Sequence, residues 1–226
     1  MTRLIPALLH LPGVQLVAIA DADEARGAAA ATRFVVPHRF TDACGLLASV
    51  EVDALIAACP PQAHEEIAAC AIAHRFPVFV EKPPAVTTAG LRELAARAAA
   101  VGLVTGVGMN FRHASPYLKI KELLGDPETG APVSVTVRHV ASKPKVPLWG
   151  LSLVRSFLLA QAIHPIDLLL DLGGPVADVK AVQRANACDV LVGAQVEFAG
   201  GAVGCLLTGT HAPRWTLASR SSPMRA

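Results

Sequence analysis

The sequence has almost no net charge, few aromatic residues and no pattern of paired cysteines. Its 20 Lys and Arg against 18 Asp and Glu give a formal net charge of +2, so we expect no affinity for nucleic acid or for an anionic membrane. Aromatic residues make up only 4% of the chain. With 53% hydrophobic and 17% charged residues, the composition excludes a disordered chain and favours a folded one with a sizeable core.

The chain also lacks a long uninterrupted hydrophobic run. Its most apolar stretch, residues 190–210, contains Glu197 and five glycines, which is typical of strands around a turn rather than of a membrane helix. Residues 1–13 lack the apolar core and the small-residue cleavage site of a secretory signal. We therefore expect neither a membrane span nor export.

The cysteine pattern points away from a disulfide framework. The five cysteines, at positions 44, 59, 70, 188 and 205, are odd in number and include no C-x-x-C pair. This pattern favours reduced thiols over disulfides or a zinc site. It predicts a cytoplasmic protein with no metal site.

Two kinds of segment alternate over the first half of the chain. Short apolar runs are typical of strands buried on both faces, and amphipathic stretches between them predict helices, the last with Thr88 as its N-cap. The alternation predicts an α/β domain, a parallel sheet covered by helices on both sides. The predicted strands are 14–20, 53–59, 77–80 and 103–109, and the predicted helices are 24–34, 42–48, 65–75 and 89–101.

The pattern changes after a helix that begins at Ser115 and ends at Gly125. One alternating strand, a helix and three more strands follow, which predicts an α+β domain with a mostly antiparallel sheet. We place the boundary within 125–132, giving domains 1–128 and 129–226, with the last nine residues as an unstructured tail. The later elements are strands 133–140, 176–183, 190–198 and 202–208 and a helix at 157–172.

Polar residues follow the first two predicted strands, at the edge where open parallel sheets bind ligands. Asp21 follows the first strand, where a carboxylate can accept hydrogen bonds from an adenosine ribose; the alternative is an N-cap for the next helix. Cys59, Pro60 and His64 follow the second strand, where a rigid turn can border a dinucleotide. Turn and capping chemistry is the simpler explanation for each residue taken alone.

Lys82, preceded by Glu81, ends the third predicted strand. An ammonium group there can orient a substrate hydroxyl or carbonyl and stabilise developing oxyanion charge. The alternative is a solvated Glu–Lys pair at the end of a strand.

Four further residues are candidates for proton transfer and substrate binding. His164 has the side chain best suited to proton transfer near neutral pH, and Asp167 shares its helical face; the alternative is a structural histidine. Asn110 and Arg112 follow the fourth strand, where they can bind substrate oxygens or make hydrogen bonds between domains.

The order of the motifs carries more information than any one of them. The chain contains LPGVQLVAIAD (11–21), VDALIAACPPQAH (52–64), FVEKPPAVT (79–87), GVGMNFR (106–112) and QAIHPIDLLLDLGG (161–174). Together these segments resemble the Gfo/Idh/MocA family of NAD(P)-dependent oxidoreductases over about residues 4–212. The resemblance implies a Rossmann-type dinucleotide-binding domain, then a domain that supplies the substrate site and often an oligomer interface. It also implies hydride transfer between nicotinamide and a hydroxyl-bearing carbon of a sugar, a polyol or a related compound.

The resemblance also assigns roles to individual residues. Lys82 matches the lysine of the family's Glu-Lys-Pro motif, which touches both the nicotinamide and the reacting oxygen. His164 matches the acid/base that moves the hydroxyl proton. Asp21 matches the ribose-binding acid and favours NAD over NADP, because a carboxylate repels a 2′-phosphate; Arg26 weakens that preference.

The sequence departs from the family pattern at its start and at its end. Its 226 residues contain no G-x-G-x-x-G loop, and residues 1–10 resemble the helix after that loop, so we expect the first strand to lie upstream of residue 1. Without that strand a Rossmann-type sheet separates into two half-sheets with unpaired inner edges, which predicts aggregation or dependence on a partner. The resemblance fades after residue 214, which predicts an incomplete second domain.

A third departure leaves two functions open. Ala160 stands where many family members carry an acidic residue four positions before the histidine, which predicts impaired turnover. The first function is an oxidoreductase that uses NAD, or NADP, on a small sugar- or polyol-like substrate, as a homo-oligomer when complete. The second is an inactive family member that binds a ligand, associates with subunits or has no function. A phosphate-binding module of another class fits less well, because the sequence has no P-loop and no nucleophile elbow.

Overall fold

The computed structural model describes residues 4–210 and 216–223. Contacts between residues divide the chain into two compact units, Met1–Gly108 and Met109–Ala226, which we call unit 1 and unit 2. Tyr117 is buried in the core of unit 2, so residues shortly after 108 already pack with that unit. The domain boundary predicted at residue 128 therefore falls inside unit 2 and stays a prediction.

Unit 1 alternates short strands with helices, so its predicted α/β class is confirmed. One strand, β2, was not predicted, because its three residues, His-Arg-Phe, are mostly polar and exposed. The strands are β1 (Ala18–Ala20), β2 (His38–Phe40), β3 (Leu55–Ala57), β4 (Val78–Val80) and β5 (Thr105–Val107), and the helices are α1 (Leu4–Leu9), α2 (Glu24–Phe34), α3 (Ala43–Ser49), α4 (Pro61–Ala73) and α5 (Thr88–Ala100).

The strands of unit 1 form two separate parallel sheets. β1 pairs with β2, and β3, β4 and β5 pair in that order. Within the described ranges, β1 and β3 each have one edge with no strand beside it. The predicted separation into two half-sheets is confirmed, and Ile56 on β3 is 39% exposed.

Helices α3, α4 and α5 cover the three-stranded sheet with small and aliphatic side chains. These residues recur every three or four positions along a helix, as a helix face that packs on a sheet requires. The largest core of unit 1 contains Leu46, Leu47, Ala57, Ala68, Ala71, Ile72, Val78, Val80 and Ala98.

Side-chain oxygens cap three helices of unit 1 and set where these helices begin. Asp23 caps α2, Asp42 caps α3 and Thr87 caps α5, each by accepting a backbone N–H three residues later. The predicted cap Thr88 is wrong by one position, and Asp21 is not the cap of α2. Helix α4 begins at Pro61, earlier than predicted, because proline fits the first turn of a helix.

Two cysteines of unit 1 contradict the prediction of reduced thiols. Cys44 on α3 and Cys70 on α4 form a disulfide, with their Cα atoms 6.0 Å apart. The packing of α3 against α4 in the unit 1 core brings the two residues together, a contact that the 26-residue separation in sequence hides. Cys59, Cys188 and Cys205 are free thiols.

Unit 2 is a five-stranded mixed sheet with helices on one face, as the predicted α+β domain requires. Its strand order is β10-β6-β9-β8-β7, and every neighbouring pair is antiparallel except β6 with β9. The strands are β6 (Pro132–Val140), β7 (Val176–Ala185), β8 (Val190–Phe198), β9 (Val203–Gly209) and β10 (Thr216–Pro223), and the helices are α6 (Ser115–Leu124), α7 (Leu153–Phe157) and α8 (Ile163–Gly173).

Strand β10 corrects the prediction of an unstructured tail over residues 218–226. Residues 216–223 pair with β6 along its length, and residues 224–226 lie outside the described residues. The segment is polar in sequence, so its strand character comes from the free edge of β6 rather than from an apolar pattern.

Helix α8 packs across the sheet of unit 2. Leu168, Leu169 and Leu172 share a core with side chains of β6, β8 and β9. A π-helical turn, Leu158–Ala162, joins α7 to α8, so the helical stretch Leu153–Gly173 is longer than predicted. By length and composition this stretch is able to cross a membrane, but its apolar residues pack against the sheet as those of a core helix do.

Candidate functional site

Lys82 lies just after β4, in a backbone segment that unit 1 fixes on both sides. The Glu81 N–H donates to the Ala57 carbonyl at 2.8 Å, and the Lys82 N–H donates to the Glu81 carboxylate at 3.1 Å. Burial lowers the pKa of the Lys82 ammonium group, and the nearby charge of Glu81 opposes this shift. Lys82 is therefore a partly buried cation rather than a freely solvated one.

The Glu81 carboxylate lies directly against Gly108. A Cβ atom at position 108 would stand 2.9 Å from Oε2, closer than real Cβ atoms come to other atoms, and 3.1 Å from Oε1. The Gly108 N–H donates to the Val80 carbonyl at 2.9 Å, so the backbone cannot easily move away. The glycine thus leaves room for the carboxylate beside Lys82.

His64 is fully buried on α4 and both of its ring nitrogens bind backbone groups. Nε2 accepts the Cys59 N–H at 3.1 Å, so Nδ1 carries the proton and donates to the Pro83 carbonyl at 2.9 Å. The Lys82–Pro83 peptide bond is cis. His64 was predicted to border a cofactor; in the structure it connects the turn after β3 to the residue after Lys82.

The turn after β3 holds two other predicted cofactor ligands. Burial raises the pKa of the Cys59 thiol to about 11, so the thiol stays protonated and weakly nucleophilic. Pro60 precedes the first residue of α4 in an extended conformation. Neither side chain carries a charge, so Cys59 and Pro60 would bind a cofactor only if it came close to the backbone of this turn.

Glu65, next to His64, was not among the predicted residues. Its Oε1 atom accepts the Val86 N–H at 2.7 Å. Contacts between residues 21 positions apart leave no periodic signal in a sequence, so only the structure reveals this one.

Asp21 follows β1 and is held by Arg26. The Arg26 side chain donates from Nε to Oδ2 at 2.7 Å and from Nη2 to Oδ1 at 2.8 Å, and the Asp23 N–H donates to Oδ1 at 2.9 Å. The Arg26 hydrogen bond lowers the pKa of Asp21. A carboxylate offers about four acceptor positions, so one remains for a ligand hydroxyl.

His164 lies in the first turn of α8 and is 6% exposed. Its ring stacks on Phe111, with the ring centroids 4.3 Å apart and the planes 19° from parallel. The ring of His139 packs edge-on against Phe111, with the two ring centroids 6.3 Å apart. His139 Nδ1 lies 3.4 Å from Thr208 Oγ1. The aromatic stack fixes the plane of the His164 ring, and sequence reasoning missed both Phe111 and His139.

Ala160 is buried in the π-helical turn that precedes His164. Its methyl side chain cannot accept a hydrogen bond from the imidazole. The position that many family members fill with an acid is therefore apolar in this chain.

Arg112 and Asp167, predicted to bind substrate, bind each other. Arg112 donates from Nε and Nη2 to Asp167, both at 2.7 Å, and from Nη1 to Asp171 at 2.8 Å. These bonds hold the pKa of Arg112 above its usual range. Asn110 begins the short 3₁₀ helix Asn110–His113, which also carries Arg112, and it is exposed. The substrate-binding roles of these three residues stay predictions, and the pairing favours a structural role for two of them.

One cavity of about 370 Å³ lies on unit 2, and none of these residues lines it. Its lining includes Arg138, Arg184, Leu191 and Leu207. None of the predicted site residues contacts it. In the described part of the chain, no group of three or more His, Cys, Asp or Glu residues is placed to hold a metal ion.

Comparison with sequence families covers both units. Residues 1–109 match the profile described as an oxidoreductase family with an NAD-binding Rossmann fold, and residues 117–220 match the GFO/IDH/MocA C-terminal domain. The chain belongs to the Gfo/Idh/MocA oxidoreductase family. The match reaches residue 220, beyond residue 212, where the resemblance was predicted to end.

Individual relatives of this Gfo/Idh/MocA chain are dehydrogenases. Inositol 2-dehydrogenase of Acidothermus cellulolyticus is 34% identical over 180 residues, which are 77% of this chain and 51% of the relative. Among solved structures, a dehydrogenase from Chromobacterium violaceum has a TM-score of 0.92 at 36% identity, over 97% of this chain and 65% of that one. GenD2 from gentamicin A biosynthesis, solved with NAD, has a TM-score of 0.85 at 29% identity, over 98% and 66%. The chain thus spans about half the length of the curated relative.

Proposed function

We propose that this protein is an NAD-dependent oxidoreductase that moves a hydride between NAD and the hydroxyl- or carbonyl-bearing carbon of a sugar or polyol. The observation that carries the proposal is the partly buried Lys82, whose backbone is held just after the carboxyl end of a parallel strand. Ligands of open α/β sheets bind at that edge. The similarity to inositol 2-dehydrogenase supports a polyol as substrate.

The residues of unit 1 fit the two ends of NAD but not its middle. Asp21 offers a carboxylate oxygen for the adenosine ribose, and Lys82 offers a cation for the nicotinamide end. Glu81 and the Cys59–Pro60 turn border the same strand ends. The 226 residues contain no G-x-G-x-x-G loop for the pyrophosphate, so the fit concerns the ribose and nicotinamide ends only.

The carboxylate of Asp21 favours NAD over NADP, because it would repel a 2′-phosphate. Arg26 opposes that preference, since its guanidinium lies against the same carboxylate and is 65% exposed. NADP therefore stays the weaker candidate rather than an excluded one.

Oxidation of a secondary alcohol releases one hydride and one proton, and bound NAD supplies the hydride acceptor. We assign the proton to an imidazole nitrogen of His164, whose ring plane is set by stacking on Phe111. Lys82 Nζ donates a hydrogen bond to the substrate oxygen and stabilises the negative charge that develops there. The exposed Asn110 is the candidate for contact with another hydroxyl of the substrate, because Arg112 and Asp167 bind each other.

Ala160 supports a second candidate, a family member that binds ligand without turnover. A histidine that works as a general base is commonly oriented by a second group, and the buried methyl of Ala160 offers none at the expected position. In that case NADH binds but no hydride is transferred.

A homo-oligomer is the proposed assembly. Val182, Leu191, Val203 and Leu207 lie on strands of the unit 2 sheet and are 40% to 76% exposed. Apolar side chains grouped on an open sheet face are typical of a surface that another subunit covers. Sedimentation velocity at several concentrations tests this assembly.

Titration of the full chain with NADH, followed by nicotinamide fluorescence, tests cofactor binding. We expect saturable binding by the wild type and about tenfold weaker binding by Asp21→Ala, which loses charge-assisted hydrogen bonds to the ribose. Absence of saturable binding by the wild type would refute the proposed function.

A further inference from the structure

The loop between β4 and α5, residues 81–87, carries Lys82 and is anchored to the first turns of α4 at two points. We propose that His64 and Glu65 are positioning residues that hold this loop and thereby fix where the Lys82 side chain begins. The proposal rests on the proposed function for its catalytic meaning, but the two anchors are structural observations in their own right.

The first anchor is His64. Its Nδ1 donates to the carbonyl of Pro83, the residue directly after Lys82, and its Nε2 accepts the Cys59 N–H. The imidazole is fully buried and bridges two backbone segments that no sheet bond joins at this point. With both nitrogens engaged, His64 acts on a cofactor or substrate only through the loop it holds.

The second anchor is Glu65. Its Oε1 accepts the Val86 N–H at 2.7 Å, and its Oε2 lies so close to Gly90 that a Cβ there would be 2.5 Å away. One carboxylate therefore contacts both the end of the loop and the first turn of α5. Thr87, between these contacts, caps α5.

The two anchors bracket a buried stretch of the loop. Pro83, Pro84 and Ala85 are buried between the His64 and Glu65 contacts. On the other side of Lys82, the Glu81 N–H bonds to the Ala57 carbonyl. The backbone on both sides of Lys82 is thus held by hydrogen bonds.

This arrangement matters because catalysis by a positioned cation depends steeply on distance. A displacement of about 1 Å at a catalytic group is able to cost on the order of a hundredfold in rate. Release of either anchor would leave Lys82 chemically intact but more solvated and less well placed.

The test compares Glu65→Ala, which removes the acceptor, with Glu65→Gln, which keeps an acceptor oxygen. The matched control is Glu66→Ala, which removes the next carboxylate of the same helix, an exposed one. His64→Ala tests the other anchor, and the Glu65 variants carry the test if that protein does not fold. Each full-length variant is measured for Val86 amide exchange, for NADH formation with myo-inositol and for the titration of Lys82 by NMR of ¹³C-methylated lysines. Lys82→Arg identifies the Lys82 signal.

We expect Glu65→Ala to speed Val86 amide exchange by about tenfold or more, to return the Lys82 pKa towards that of a solvated lysine, and to lower kcat by about tenfold with little change in KM for NAD. Glu65→Gln should stay close to the wild type in Val86 exchange, Lys82 pKa and kcat, and Glu66→Ala should match the wild type in all three. Folded Glu65→Ala with a wild-type Lys82 titration would overturn the proposal.

The outcomes also separate this proposal from the proposed function. If the wild type forms no NADH, the proposed function fails, while the Lys82 titration and the Val86 exchange still decide whether the anchors position the loop. If the wild type is active and Glu65→Ala loses no kcat, the positioning role fails and the proposed function stands.

Discussion

The ammonium group of Lys82 is kept in a partly buried position that disfavours its charge. Because burial lowers its pKa in the folded state, the folded protein carries a penalty at every pH below that pKa. The penalty is relieved as pH rises from the folded-state pKa towards the unfolded value of about 10.4. Such a cost is expected of a residue retained for chemistry rather than for stability.

Lys82→Met should therefore separate stability from activity. Removal of the buried charge should raise Tm at neutral pH, with the gain shrinking as pH rises above the folded-state pKa of Lys82. Hydride transfer should fall by about two orders of magnitude or more, because the substrate oxygen loses its cationic donor. Thermal unfolding across pH and steady-state kinetics measure the two effects, and a lower Tm with unchanged kinetics would contradict both.

Gly108 provides a second prediction at this scale. In Gly108→Ala the new methyl group would meet the Glu81 carboxylate at about 3 Å, so the carboxylate must move and release its bond to the Lys82 N–H. We expect a fall in kcat with modest loss of stability. Gly102→Ala is an unsuitable control because its φ is positive; Gly200→Ala, with open space around it, is suitable.

At the residue scale, candidate residues that stand in motifs were proposed from the sequence, and residues whose contacts lie far along the chain were not. Lys82 and His164 were proposed because Lys82 ends an apolar run, His164 is three residues from Asp167, and both match motifs of the family; their roles stay predictions. Glu65 and Phe111 were missed because their partners, Val86 and His164, lie far along the chain. Their roles depend on packing, which leaves no local signal.

A network of charged residues joins the 3₁₀ helix, α6 and α8 of unit 2. Arg112 binds Asp167 and Asp171, and Asp171 also accepts the Tyr117 hydroxyl and pairs with Lys121. Burial raises the pKa of Asp171, but the hydrogen bonds and positive charges outweigh it and hold the pKa below its usual range. The network thus links the 3₁₀ helix and α6 to the helix that carries His164.

Arg112→Ala should destabilise unit 2 by about 1–2 kcal/mol at neutral pH, an estimate reduced because the arginine side chain is 40% exposed. The stabilisation that the network gains from ionised Asp171 is present above the unfolded pKa of a carboxyl group, about 3.9. It is lost as pH falls through the lower pKa that Asp171 has in the folded protein. The variant should therefore lose less stability on acidification than the wild type does. Urea unfolding at neutral and acidic pH measures the free energy of unfolding of both proteins. An equal loss of that free energy on acidification in the variant and the wild type would contradict the prediction.

At the scale of elements, periodicity located the long segments and failed at the short or polar ones. Helix α2 matched its predicted bounds because Asp23 caps it. β2 and β10 were missed because pairing with an exposed neighbouring strand, not an apolar pattern, makes them strands. The Cys44–Cys70 disulfide was also missed, because it depends on how α3 packs against α4 rather than on any local pattern in the sequence.

For the whole molecule, the two half-sheets of unit 1 are the feature with the largest consequence. Open edges of strands are templates for pairing with other chains, and Ile56 is an exposed apolar residue on β3. The sequence predicted this separation from the strand order of Rossmann-type sheets, because no strand was predicted ahead of residues 14–20 to fill the centre of the sheet. It did not predict the extent of the family match at the C-terminal end.

Ile56→Lys should lower aggregation of the full chain, because a charge on an open edge disfavours strand pairing. Val35→Lys adds the same charge at an exposed position at the end of α2 and serves as the control. Light scattering on concentration should show less association for Ile56→Lys than for wild type and control. Equal association of all three would show that the open edges are not the cause.

We propose that Lys82 stabilises the substrate oxygen while the hydride passes to NAD and that His164 accepts the hydroxyl proton, and the sharpest test is single-turnover formation of NADH from NAD and myo-inositol. Lys82→Ala and His164→Ala should each slow this step by about a hundredfold or more. Lys180→Ala and His38→Ala, at exposed positions, should leave it unchanged. Wild-type rates in Lys82→Ala or His164→Ala, or no NADH from the wild type with any of a panel of polyols, would show that these residues do not serve this reaction.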